Sequence, residues 1–110
     1  DEHDFVFGAV SHLPHIVAYA LMNTLGDLRT KQDHEVTAYS GAGLKDITRI
    51  ASGDPVMWRD ICISNQTHSL DLINRFQKTL NEIRDVIEKK DGQALEEAFA
   101  VANKYRLKVI

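Results

Sequence analysis

Apolar residues recur at helical spacing along most of this chain. Near its start Phe5, Val6, Ala9 and Val10 keep that spacing, and Val17, Leu21, Met22 and Leu25 resume it. The pattern predicts a helix over about 3–25. Asp1, Glu2 and Asp4 suit its N-terminal end, and Gly26 is a stop signal. Small residues (Gly8, Ala9, Ala18, Ala20) are interleaved with the large ones. A helix apolar nearly all round is buried on several sides, which in a short chain predicts a central helix shared with a second subunit. Pro14 lies inside it, without an N–H to donate. It should kink the helix or free a carbonyl near Val10.

Residues 27–43 are polar and end in Ser40-Gly41-Ala42-Gly43, which reads as loop. A short helix fits Leu44 to Ala51, with Leu44, Ile47, Ile50 and Ala51 on its apolar side, and Ser52-Gly53 ends it. Asp54 followed by Pro55 is an N-cap with proline at the first helical position. Met57, Trp58, Ile61 and Cys62 form the predicted inner face of that third helix. From Gln66 to Lys90 the residues Leu70, Ile73, Phe76, Leu80, Ile83 and Ile87 recur every three or four positions. Asp91-Gly92 makes a turn, and Leu95, Ala98, Phe99, Ala102 and Tyr105 define a last helix. The single β-like stretch, Glu35 to Tyr39, is short. The predicted fold is all-α with about five helices.

At 110 residues the chain is one domain by length, with 44% hydrophobic and 26% charged residues. A formal charge of −3 provides no broad basic field, so nucleic acid and an acidic membrane surface are unfavoured partners. No apolar run reaches the roughly 18 residues of a membrane span. No basic-then-apolar leader is visible, and the chain begins Asp1-Glu2-His3-Asp4 as though cut from something longer. One cysteine, Cys62, excludes an internal disulfide and suits a reducing cytoplasm. No glycine-rich phosphate loop appears, so the chain carries no recognisable nucleotide site of its own.

Candidate chemistry gathers in two stretches. Ser11-His12-Leu13-Pro14-His15 places two histidines in the apolar first helix, and His3, Phe7, Ser11 and His15 fall on one helical line. These histidines read either as core groups bonded to backbone freed by Pro14 or as ligand contacts. A metal site lacks an obvious third ligand. Arg49 follows Asp46 by one turn. It reads either as half of an i,i+3 ion pair or as a guanidinium held by Asp46 and aimed at a carboxylate, a task suited to its planar fork. Trp58 reads as core or as a wall for a ring-bearing ligand. Cys62 reads as an inert core thiol, and Lys89 and Lys90 as a solvated face. No arrangement for serine or cysteine nucleophilic catalysis is present.

The order of the motifs is specific. His3-Asp4, Ser11-His12-Leu13-Pro14-His15, Gly43-Leu44-Lys45-Asp46-Ile47-Thr48-Arg49-Ile50-Ala51, Asp54-Pro55-Val56-Met57-Trp58-Arg59-Asp60-Ile61 and Asn65 together resemble the C-terminal domain of the prephenate dehydrogenase family, arogenate-using (cyclohexadienyl) members included. The motifs span the first 65 residues. The last 45 match as generic long helices.

The resemblance implies a helical domain that dimerises and closes a substrate cleft, beside an N-terminal Rossmann domain that binds NAD or NADP and carries the main catalytic histidine. Only the helical part is matched. The chain alone is therefore expected to bind no cofactor, to contribute no principal base and to be inactive. The implied reaction is oxidative decarboxylation of prephenate to 4-hydroxyphenylpyruvate on the route to tyrosine. In feedback-inhibited members the same domain would sense tyrosine. By resemblance Arg49 binds a substrate carboxylate and His15 hydrogen-bonds the substrate. Asp46 and Trp58 shape or gate the entrance, His3 lines the site, and His12 is structural. The family's glycine run is here Gly41-Ala42-Gly43, which departs at its middle position.

Overall fold

A computed structural model describes all residues, Asp1–Ile110. It is all-α, with five helices. The first, α1, spans Glu2–Leu25. It is continuous but not uniform: α-helical over Glu2–Phe7, a π turn over Gly8–His12, then α-helical again over Leu13–Leu25. Then follow α2 (Ala42–Thr48), α3 (Pro55–Ser64), α4 (Gln66–Glu88) and α5 (Gly92–Arg106). The β-like Glu35 to Tyr39 stretch folds instead as a 3₁₀ turn over Val36–Tyr39, and its one strand-like feature is an isolated bridge from Glu35 to Arg29. One bridge leaves nothing to extend into a ladder, and the turn's own bonds, such as Ala38 N–H to the Glu35 carbonyl, prevail.

The π turn is how the helix accommodates Pro14. Without the proline N–H, the carbonyl at Val10 has no partner four residues on. The backbone widens, and the Leu13 N–H donates to Gly8, five residues back. Side-chain oxygens cap α3 and α5: Asp54 accepts from the Val56 N–H, as the sequence predicts, and Asp91, in the predicted turn, accepts from the Ala94 N–H. Lys90 ends α4 in the left-handed region at φ 54°. The Asp91 N–H returns to Val86 and the Lys90 N–H to Ile87, closing the last turn.

The chain divides into two compact units, Asp1–Leu72 and Ile73–Ile110. In the first, the Leu13–Leu25 part of α1 packs on α2 and on the 3₁₀ turn Arg49–Ser52. Gly8 packs against the start of α4, where a Cβ would lie 3.0 Å from Leu72 Cδ1 and 3.2 Å from the Asn65 amide. In the second, α5 lies along the C-terminal part of α4 and leaves a cavity of about 380 Å³ lined by Ile83, Leu95, Phe99 and Tyr105 among others.

The core is small. Ala18 and Leu72 are the only buried hydrophobic side chains, and Ser69 is buried with its hydroxyl donating to the Cys62 carbonyl. The expected burial of α1 is not met within one chain, since Phe5, Val6, Phe7 and Val10 stay exposed. Met57, expected on the inner face of α3, is exposed too. The expectation that no apolar run reaches membrane length also needs correction. As a helix, Glu2–Leu25 has a mean hydropathy of 1.5 and is long and apolar enough to cross a membrane by length and composition. The polar side chains His12 and His15 sit in its middle, half-buried against α3 and the start of α4.

Candidate functional site

The best-defined constellation joins α1 to the start of α3. His15 stacks on Trp58, with ring centroids 3.5 Å apart and planes 20° apart. His12 meets the same indole edge-on, at 6.3 Å and 75°. Two histidines three residues apart thus flank one tryptophan, and all three side chains are half-buried. Asp54 and Pro55 fix where α3 begins and so place Trp58 in its first turn. Tyr19, one turn after His15, donates its hydroxyl to the Gly53 carbonyl at 3.1 Å and ties the preceding loop to α1.

The hydrogen bonds determine the proton positions on the two rings. His15 Nδ1 lies 2.8 Å from the Ser11 carbonyl. A carbonyl only accepts, so Nδ1 carries the proton. Nε2 then accepts when the ring is neutral and donates only when it is charged. This bond goes to Ser11 and not to the carbonyl at Val10 that Pro14 orphans.

The predicted site residues are only partly brought together. His15 and Trp58 meet, and His12 joins them. Arg49 and Asp46 are exposed and form no ion pair with each other. The expected i,i+3 pair fails because α2 ends between them. The Thr48 hydroxyl donates back to the Leu44 carbonyl, Thr48 turns to ψ 0°, and Arg49 opens a 3₁₀ turn. The guanidinium is left without any carboxylate or carbonyl partner in this chain. His3 is exposed, tilted against Phe7 at 4.5 Å and 3.7 Å from the Asp4 carboxylate. The helical line from His3 to His15 is broken, because the π turn inserts a residue between Phe7 and Ser11. Asp1, His3 and Asp4 bring possible metal ligands within 4.8 Å of one another, but all three are exposed and Asp1 already caps the Asp4 N–H.

Sequence reasoning gave no site role to Tyr19, to Gly53, which it read only as ending the short helix, or to Asn65, which entered only as part of the family's motif order. Tyr19 carried a signal in its four-residue spacing from His15. A groove of about 490 Å³ beside Trp58 is lined by Ile16, Tyr19, Ala20, Pro55 and Cys62 among others. Burial pushes the Cys62 thiol above its ordinary pKa, because desolvation disfavours the thiolate. The cysteine is half-buried on the groove wall and not the core thiol expected of it, while its desolvation works against reactivity.

The fold and site define an all-helical domain with a histidine pair on one indole and an arginine that has no partner within this chain. Residues 1–101 match the family described as prephenate dehydrogenase, dimerization domain, and the chain belongs to that family. The prephenate dehydrogenase of Lactococcus lactis is 41% identical over 96% of this chain and 29% of its own length. A cyclohexadienyl dehydrogenase of Zymomonas mobilis is 34% identical over 97% of this chain and 36% of its own. Among solved structures, prephenate dehydrogenase from A. aeolicus in complex with hydroxyphenyl propionate and NAD+ superimposes with a TM-score of 0.88. It is 41% identical and covers 98% of this chain and 37% of that one. The chain thus spans about a third of the length of the relatives it matches.

Proposed function

We propose that this chain is the substrate-binding and dimerisation part of an enzyme that oxidatively decarboxylates prephenate to 4-hydroxyphenylpyruvate, using NAD or NADP held by an N-terminal Rossmann domain. The observation that carries the reading is the family match over residues 1–101, together with the 41% identity to an enzyme solved with a hydroxyphenyl acid and NAD+. The bound nicotinamide would accept the hydride. This chain, which has no glycine-rich phosphate loop, would bind no cofactor alone and would be inactive alone. A cytoplasmic enzyme, with neither nucleic acid nor membrane as partner, fits this reading.

The substrate is a dianion, and the chain offers groups suited to it. Arg49 has a free guanidinium whose fork can take a carboxylate with two parallel bonds. His15 is oriented by Ser11 and Trp58 with Nε2 unbonded. Asp46 and Trp58 would shape the entrance and His3 would line it. A charge-assisted bond of the Arg49 kind contributes roughly 1.5–3 kcal/mol. Arg49→Ala in the full-length enzyme should therefore weaken hydroxyphenyl propionate binding by about 10- to 100-fold, as read by calorimetry. Unchanged affinity in both Arg49→Ala and His15→Ala would mean that the polar residues are only structural.

The Zymomonas mobilis relative favours a second reading, an arogenate-using or dual-specificity enzyme. Competition between prephenate and arogenate on the full-length enzyme separates the two.

A further inference from the structure

We infer that Asn65 is a positioning residue that holds His12 as the Nε2–H tautomer, so that the two histidines on Trp58 carry opposite proton arrangements. Asn65 stands between α3 and α4, and its Nδ2 lies 3.0 Å from the Asp4 carbonyl and 3.1 Å from His12 Nδ1. The Asp4 carbonyl can only accept, so the group facing it is the amide nitrogen and not the amide oxygen. That nitrogen has two hydrogens. One goes to Asp4 and the other to His12 Nδ1, which must therefore be the unprotonated ring nitrogen. His12 is then neutral with its proton on Nε2, a standing donor that no group of this chain accepts from. His15, with its proton on Nδ1, is the reverse.

The amide has little freedom to turn. Its neighbour Gly8 approaches so closely that a Cβ there would lie 3.2 Å from Nδ2. The π turn places Gly8 and His12 at its two ends, so one irregular turn supplies both the room for the amide and the ring it orients.

Resting on the reading of the site as a seat for a hydroxyphenyl acid, the pair has a division of labour. His12 donates to an acceptor on the ligand without needing charge. His15 accepts when neutral and donates when protonated. His12 thereby gains a contact role that the family resemblance did not give it.

The test is ring-nitrogen NMR on the full-length enzyme labelled with ¹⁵N histidine, with His12 assigned by its loss in His12→Gln. In the wild type His12 should show a protonated Nε2 and a bare Nδ1. A protonated Nδ1 there overturns the inference without any variant. Asn65→Asp replaces the donor with an acceptor and should move the proton to Nδ1, while His15, tied to its own helix, keeps its pattern. The same variant should bind hydroxyphenyl propionate about tenfold or more weakly. An unchanged His12 pattern in Asn65→Asp overturns the tautomer control. A reversed pattern with unchanged affinity overturns the positioning role. A wild type that does not bind hydroxyphenyl propionate overturns the reading of the site, while the ring pattern still decides the tautomer.

Discussion

At Gly53 the lack of a side chain leaves room for Trp58, which stacks on His15. A Cβ there would fall 3.0 Å from Trp58 Nε1, 3.2 Å from Cδ1 and 3.2 Å from the Tyr19 hydroxyl. These are an indole edge held by a stacked ring and a hydroxyl already bonded to the Gly53 carbonyl, so neither gives way freely. Gly53→Ala should cost about 1–3 kcal/mol by overpacking. Trp58 is the only tryptophan in the chain, so its emission should shift with the loss of thermal stability. A variant with unaltered emission and melting would show that the loop yields. At Cys62 desolvation raises the thiol pKa, so the reactive thiolate is scarcer in the folded chain than in the unfolded one at any pH below that raised value. Alkylation near pH 8 should run slower in the native protein than in urea, and the gap should close as the pH climbs past the raised pKa. Equal rates near pH 8 would contradict it.

At the scale of elements, α1 trades regularity for placement. A proline inside a helix costs about 3 kcal/mol, and here it is accommodated by a π turn that ends at His12. Such turns recur at functional sites. Pro14→Ala returns an N–H to the Val10 carbonyl and lets the backbone wind as an ordinary α-helix. Thermal stability should rise by up to about 3 kcal/mol, while His12 rotates away from Asn65 and affinity for hydroxyphenyl propionate falls. A gain in both quantities would mean the π turn has no part in the site. The hydrophobic periodicity placed all five helices. It could not place the ends of α2, because Thr48's bond to Leu44 and the following 3₁₀ turn depend on packing against α1. That shift of boundary separates Arg49 from Asp46.

For the whole molecule, the unburied apolar surface is the dominant feature. Phe76, Leu80 and Ile87 on the stripe of α4 are exposed, as are Phe99, Val101 and Tyr105 on α5 and Phe5, Val6, Phe7 and Val10 on α1. A single copy buries only two hydrophobic side chains, Ala18 and Leu72. Apolar surface of this extent is characteristic of a protein–protein interface, and the proposed dimer supplies one. Sedimentation at micromolar concentration should find twice the 12.4 kDa of one chain, and a stable monomer would exclude the dimer. The stripe Leu70, Ile73, Phe76, Leu80, Ile83 and Ile87 does lie on a helix, yet the hydrophobic residue buried on α4 is Leu72, off that stripe, where Gly8 approaches. Periodicity marks a face for burial but does not say which partner covers it.

What the sequence determined by itself was local or ordered along the chain. Helices follow from i,i+3 and i,i+4 spacing, the start of α3 from Asp54-Pro55 and a turn from Asp91-Gly92, each acting within a few residues, and the family from the order of its motifs along the chain. What only the tertiary structure decided was how the site's groups are paired. The Tyr19–Gly53 bond spans 34 positions, His12–Asn65 spans 53 and Asn65–Asp4 spans 61. No spacing rule reaches that far. The proton on each histidine and the unpaired state of Arg49 depend on which atoms the folded chain brings within about 3 Å, and a hydrogen bond's direction is settled only there.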